Sequence, residues 1–183
     1  MTWFTNDKVD KLHDLPRCCT GAPLPLVVAT EHNVYVAYYT KVYDPTWDGT
    51  TCRVMTPASD APAAIVAFKH CYAHKLGPPN DEAFSGHPLA SKGLHPCGAF
   101  EVTHSSWMDR LEAMNRVHPC HTKAAFFENK RHFILTFHDS TFECIAREVE
   151  VLNTFTGSMQ DAATWMTREL LWVPPAGSRN PRP

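Results

Sequence analysis

The segment Arg131–Leu152 constrains this chain most, because its residues alternate as a β-hairpin requires. Two β-rich runs flank His138-Asp139-Ser140-Thr141, a stretch with turn composition. With Asp139-Ser140 as the two loop residues, His138 faces Thr141 and pairing steps outward one residue on each strand. Phe137 then opposes Phe142, Leu135 opposes Cys144 and Phe133 opposes Ala146, which is one continuous apolar face and therefore a core surface. The opposite face pairs Thr136 with Glu143, Ile134 with Ile145 and His132 with Arg147.

On that second face His138, Thr136 and Glu143 gather near the turn. An imidazole beside a carboxylate suits acid–base work or metal-assisted chemistry, since the carboxylate fixes the tautomer and raises the basicity of the ring. A solvated polar face, common in antiparallel sheets, is the plainer reading. Ile134 and Ile145 on the same face argue that it is at least partly covered. His138 and Glu143 are accordingly the first candidate catalytic groups, with Thr136 and Arg147 as binding contacts.

Elsewhere the pattern is of strands broken by loops. Leu26–Ala29 and Asn33–Tyr39 flank the turn-like Thr30-Glu31-His32-Asn33 and read as a second hairpin. In its second strand Val34, Val36 and Tyr38 share one face, with Tyr35, Ala37 and Tyr39 on the other. Residues 1–25 show little periodicity and read as a short N-terminal arm or one set of helical turns, and a loop runs from about Asp44 to Pro62. A further strand is expected from Ala64 to Tyr72. If it stays extended through His74, then His70, Tyr72 and His74 share a face, but positions i and i+4 on a strand lie roughly 13 Å apart, too far to share a metal. His70 is read as a catalytic acid–base candidate and Tyr72 as a pocket-wall binding contact.

The long stretch Gly77–Gly98 contains the apolar anchors Phe84, Leu89 and Leu94, so an ordered loop is expected. It matches neither a phosphate-cradling loop nor an EF-hand. Its polar residues suit a binding edge, with Asp81 as a catalytic candidate and Asn80 and His87 as ligand contacts. Self-capping of a turn by Asn80 and Asp81 is the plainer alternative. The tripeptide His-Pro-Cys occurs at 95–97 and 118–120, but that spacing is not a usual zinc pattern, and no metal ligand is assigned.

Two helices are expected. Ser105 or Ser106 caps the first, which runs to Asn115 with Trp107, Leu111 and Met114 as its apolar face. Ser158–Leu171 forms the second, with Ala162, Trp165, Met166 and Leu170 facing inward. The expected fold is therefore α+β: an antiparallel sheet of five to seven strands with both helices on one face. Residues 1–173 form the single domain, and the Pro- and Arg-rich 174–183 is expected to be disordered.

Charge narrows the function. With 17 Lys and Arg against 19 Asp and Glu, the net charge is −2, which argues against a nucleic-acid partner. No apolar run approaches the roughly 20 residues of a membrane-spanning helix. Seven cysteines, an odd number without C-x-x-C spacing, follow a start with no basic or apolar leader character, so reduced thiols in the cytoplasm are expected. A protein that binds a small polar molecule, and acts on it through His and carboxylate groups, fits this pattern. The alternative is a non-catalytic interaction module that docks a protein through Tyr35, Tyr38, Tyr39 and Trp47. The sequence sets neither a cofactor nor an oligomeric state.

Overall fold

Strand β3 (Asn33–Tyr39) is apolar on both faces, so it must be covered on both. Val34, Val36 and Tyr38 are buried against one layer, and Ala37 and Tyr39 against another. Strand β4 (Ala61–Lys69) repeats this, with Ala64, Val66 and Phe68 facing one way and Ala61, Ala63 and Ile65 the other. A single sheet with helices on one face cannot satisfy such strands. The computed structural model, which describes residues 6–42 and 54–171, resolves this with two antiparallel sheets packed face to face.

The first sheet orders β1 (Lys8–Lys11), β6 (Gly98–Thr103), β7 (Arg131–Thr136), β8 (Thr141–Ala146) and β5 (Ala73–Gly77). The second orders β2 (Leu26–Ala29), β3, β4 and β9 (Glu148–Gly157). Between them lie Val34, Val36, Tyr38, Ala64, Val66 and Phe68 from the second sheet. Phe133, Leu135, Phe137, Phe142, Cys144 and Ala146 meet them from the first. The fold is α+β and antiparallel, as expected, but it has nine strands among the described residues.

The helices lie on opposite outer faces instead of sharing one. Helix α3 (Met159–Leu171) lays Met159, Ala162 and Met166 on the outside of the second sheet. Ser158 and Asp161 close its start reciprocally: the Asp161 N–H donates to Ser158 Oγ at 3.1 Å, and the Ser158 N–H to Asp161 Oδ2 at 3.1 Å. Helix α1 (Ser106–Asn115) caps the first sheet, with Ser105 Oγ accepting the Met108 N–H at 3.2 Å. Its buried residues are Met108 and Glu112; Met114 is exposed, so the face expected from Trp107, Leu111 and Met114 is rotated. Glu112 is tolerated inside because Arg116 and His121 both donate to it. Arg116 is the main influence lowering its carboxyl to about 2, against burial, with His121 adding to the effect.

Three further differences shape the site. The arm contributes β1 at a sheet edge, paired with β6, and a short helix α2 (Lys123–Phe127) follows α1. The strand expected to run through His74 breaks at His70, whose φ of 51° turns the chain out of the second sheet. Cys71 N–H donates to His32 O at 2.6 Å and Tyr72 N–H to Ile145 O at 2.7 Å, delivering β5 to the first sheet. His70, Tyr72 and His74 therefore do not line one strand face.

The hairpin of β7 and β8 turns one residue earlier than expected. Phe137 N–H donates to Ser140 O at 2.8 Å, which makes His138-Asp139 the two loop residues. Thr136 now pairs with Thr141, Ile134 with Glu143, Phe133 with Cys144 and His132 with Ile145. Moving the loop by one residue moves every partner by two, so the two faces survive while the cross-strand pairs change. Phe137 remains a core residue, 2% exposed, with its ring centroid 5.4 Å from that of Tyr38. Phe137→Ala is expected to cost roughly 3–5 kcal/mol in denaturant unfolding, as large aromatic truncations do. A loss under about 1 kcal/mol would contradict this placement of the hairpin.

Candidate functional site

The outer face of the first sheet would be an ordinary apolar surface under Phe84, Leu89 and Leu94 were it not for Glu143. Lying opposite Ile134 on β7 and Lys75 on β5, this carboxylate meets three donors. Lys75 Nζ is 2.8 Å from Oε1, His87 Nε2 is 3.4 Å from Oε1, and His132 Nε2 is 3.1 Å from Oε2. His87 and His132 are buried, while Lys75 reaches solvent over the Trp107 ring, 4.9 Å from its centroid. Burial is the largest single influence on the Glu143 carboxyl and pushes it up. The bonds from His132, His87 and Lys75 together override it and hold the group ionised, well below the usual carboxylate range.

The network assigns the imidazole tautomers. His87 Nδ1 accepts the Leu89 N–H at 3.1 Å, so the ring proton sits on Nε2 and points to Glu143. Ser105 Oγ accepts the Met108 N–H, which frees its hydroxyl proton for His132 Nδ1 at 2.8 Å and again leaves the Nε2 proton for Glu143. Ser105–His132–Glu143 is thus a hydroxyl–imidazole–carboxylate chain. It supplies no nucleophile, because Ser105 is 3% exposed and its hydroxyl is committed at both ends. What it does is clamp α1, β7, β8 and the loop carrying His87 to one another.

A second pair has the opposite character. His138, in the hairpin turn, places Nδ1 2.6 Å from Asp81 Oδ2, and the loop holding Asp81 is fixed by the Asp81 N–H donating to His138 O at 2.8 Å. Thr141 Oγ1 donates to Pro79 O at 3.1 Å, and Asn80 Oδ1 accepts the Ala83 N–H at 3.1 Å, so the approach to Asp81 is braced on both sides. His138 is 39% exposed on its side chain, with Asp139 Oδ1 3.8 Å from Nε2. The hydrogen bond to Asp81 is the main influence raising the His138 pKa above its ordinary value. Burial is the next influence and opposes it, while the charges of Asp81, Asp139 and Glu82 add to it. Asp81 Oδ1 is buried without a hydrogen-bond partner.

A cavity of about 100 Å³ lies under the N-terminal arm, with neither His138 nor Asp81 in its lining. Its walls include Thr136 and Phe137, which lead directly into His138, and Cys97, whose thiol feels the Asp81 charge. Lys11, His13 and Arg17 bring positive or titratable groups to it, and among the described residues no carboxylate lines it. Thr136 itself is fully buried; its hydroxyl accepts the Gly98 N–H and donates to His95 O, both at 2.8 Å. Arg17 is shared with a wider open groove of about 580 Å³ that also includes Lys41, Thr154 and Thr156.

The residues singled out from the sequence thus divide. His138 and Asp81 come together, and Glu143 joins His87. His138 and Glu143 are not bonded to each other, since each has its own partners. His70 is exposed at its kink. Tyr72 lies edge-on to Phe126 with Lys130 above its ring. Arg147 is exposed, with Glu148 Oε1 at 3.4 Å. Tyr38 and Tyr39 are core residues, which removes them from any docking surface, and Trp47 lies outside the described residues. The links of Lys75, His132 and Ser105 to Glu143 carry no sequence signal, because the β5–β8 and β7–β8 pairings and the Ser105–His132 bond create them.

Among the described residues no group of three or more His, Cys, Asp and Glu side chains is placed to hold a metal ion. No described helix is long and apolar enough to cross a membrane. No protein-family model, curated protein or solved structure matches the chain.

The His138–Asp81 pair sets a titration that can be measured. The His138 ring should titrate above the ordinary histidine value and fall back towards it in Asp81→Asn, followed by NMR of the ring protons. Because the folded pKa is raised, the pair's contribution to stability is complete below the unfolded value and is lost as pH rises through the raised one. An unchanged His138 curve in Asp81→Asn would show that the bond does not form in solution.

Proposed function

We propose that this protein binds a small polar molecule bearing a negative charge in the cavity under the N-terminal arm. In this reading the His138–Asp81 pair transfers a proton to or from the bound molecule. The observation that carries the proposal is a cavity lined by Lys11, His13 and Arg17, with Phe137 in its wall directly preceding His138, whose partly exposed imidazole is oriented by Asp81. A cavity of about 100 Å³ is small beside the roughly 300–1,000 Å³ of drug-sized ligand pockets, so the ligand is a compact one such as a short carboxylate. Arg17 would neutralise it, in the planar fork geometry that suits a carboxylate.

The roles separate by burial. His138, partly exposed and with its protonated form favoured by Asp81, is the acid; Asp81 orients the ring and stabilises the imidazolium. Glu143, ringed by three donors, holds the architecture and exchanges no proton at neutral pH. The setting proposed is the cytoplasm, where the thiols stay reduced, and the partner is a small molecule, not a nucleic acid.

The test is titration of ¹⁵N-labelled protein with a series of two- to five-carbon carboxylates. Saturable shifts should concentrate on Lys11–Cys18 and Cys97–Ala99. Arg17→Ala should weaken binding by about tenfold, the worth of one charge-assisted contact. His138→Asn should retain binding and lose any turnover found with the ligand that binds. Shifts confined to other parts of the molecule, or none at millimolar ligand, would overturn the assignment.

A further inference from the structure

A second centre lies in the core, at the point where the chain crosses from the second sheet to the first. Cys71 follows the left-handed His70, and its Sγ is 3.6 Å from Cys144 Sγ on β8. His74 Nδ1 stands 3.8 Å from Cys71 Sγ on the other side. Cys144 is fully buried, whereas Cys71 retains a 9% exposed edge and His74 is exposed. One thiol therefore meets the solvent and its neighbour waits behind it.

We propose that Cys71 and Cys144 form a peroxide-reactive dithiol site in which Cys71 is oxidised first and Cys144 resolves it. The Cys71 thiolate attacks one oxygen of a hydroperoxide, forming an S–O bond as the O–O bond breaks. The departing alkoxide or hydroxide takes up a proton and leaves as alcohol or water. Cys144 sulfur then attacks the sulfenic sulfur; the S–S bond forms, and the sulfenic hydroxyl leaves as water with the Cys144 proton. Two thiols and one hydroperoxide become one disulfide, one alcohol and one water, so the peroxide is the only oxidant required.

The surroundings favour this order. The S–H of Cys144 donates to Cys71 sulfur, which is the main influence stabilising the Cys71 thiolate; burial opposes it, and His74 assists. The same contact and its own burial keep Cys144 protonated until the first step has occurred. Reactive cysteines occupy such partly exposed microenvironments with an imidazole at hand. The sulfurs need to close from 3.6 Å to about 2.05 Å, a side-chain rotation at a chain crossing and not a rearrangement of the sheets.

The experiment treats the full reduced chain with hydrogen peroxide at neutral pH, followed by non-reducing peptide mapping. A Cys71–Cys144 cross-link that dithiothreitol reverses is the expected product. Cys71 should be consumed about tenfold faster than the exposed Cys120. In Cys144→Ser, a sulfenic-acid probe should label Cys71; in Cys71→Ser, Cys144 should stay unmodified. His74→Gln should slow the first step severalfold without lowering the melting temperature. The wild-type map needs no variant to fold. A map in which both thiols stay reduced while Cys120 is oxidised, or in which Cys71 pairs with another cysteine, would overturn the proposal.

Discussion

A buried carboxylate organises the first sheet. Moving a carboxylate out of water costs several kcal/mol even after the protein relaxes, and that cost is offset only where donors surround the charge. Glu143 obtains them from three separate parts of the chain: Lys75 on β5, His87 in the Gly77–Gly98 loop, and His132 on β7. His132 passes the link on to Ser105, the cap of α1. The loop, the helix and the edge strand are thus fixed to the sheet through one side chain. The apolar contacts of Phe84, Leu89 and Leu94 then close over it.

That clamp explains how a long irregular segment comes to present a site. The loop is held at His87 by Glu143 and at Asp81 by the hairpin turn, where it meets His138. Both His–carboxylate pairs hang on the same β7–β8 hairpin, yet they differ in access. Glu143 is buried, and two of its three donors, His87 and His132, are buried with it. His138 keeps Nδ1 bound to Asp81 while its side chain stays partly exposed, the access that the proposed proton transfer requires.

The sequence made the faces legible and left the partners hidden. Alternation with period two assigns Phe133, Leu135 and Phe137 to the core whichever adjacent pair forms the loop, provided that loop stays two residues long. Which residue of β7 stands beside Glu143 depends on that choice, and nothing in His138-Asp139-Ser140-Thr141 selects between two equally good turns. For α1 the cap Ser105 was readable from residue type. Its buried face was not, because Glu112 belongs inside only once Arg116 and His121 are seen to neutralise it. The kink at His70 carries no signal either, since a histidine at positive φ is set by its surroundings and not by its own preference. The meeting of Asp81 and His138, 57 residues apart, is a product of sheet topology.

The central claim is that Glu143 is an ionised acceptor for two imidazoles, each carrying its proton on Nε2. Long-range ¹H–¹⁵N correlation of the histidine rings at neutral pH reads this directly. His87 and His132 should each show a protonated Nε2 and an unprotonated Nδ1, and the Nε2 resonances of both should move when Glu143 is changed to Gln. A protonated Nδ1 on either ring, or ring signals indifferent to Glu143→Gln, would contradict the account.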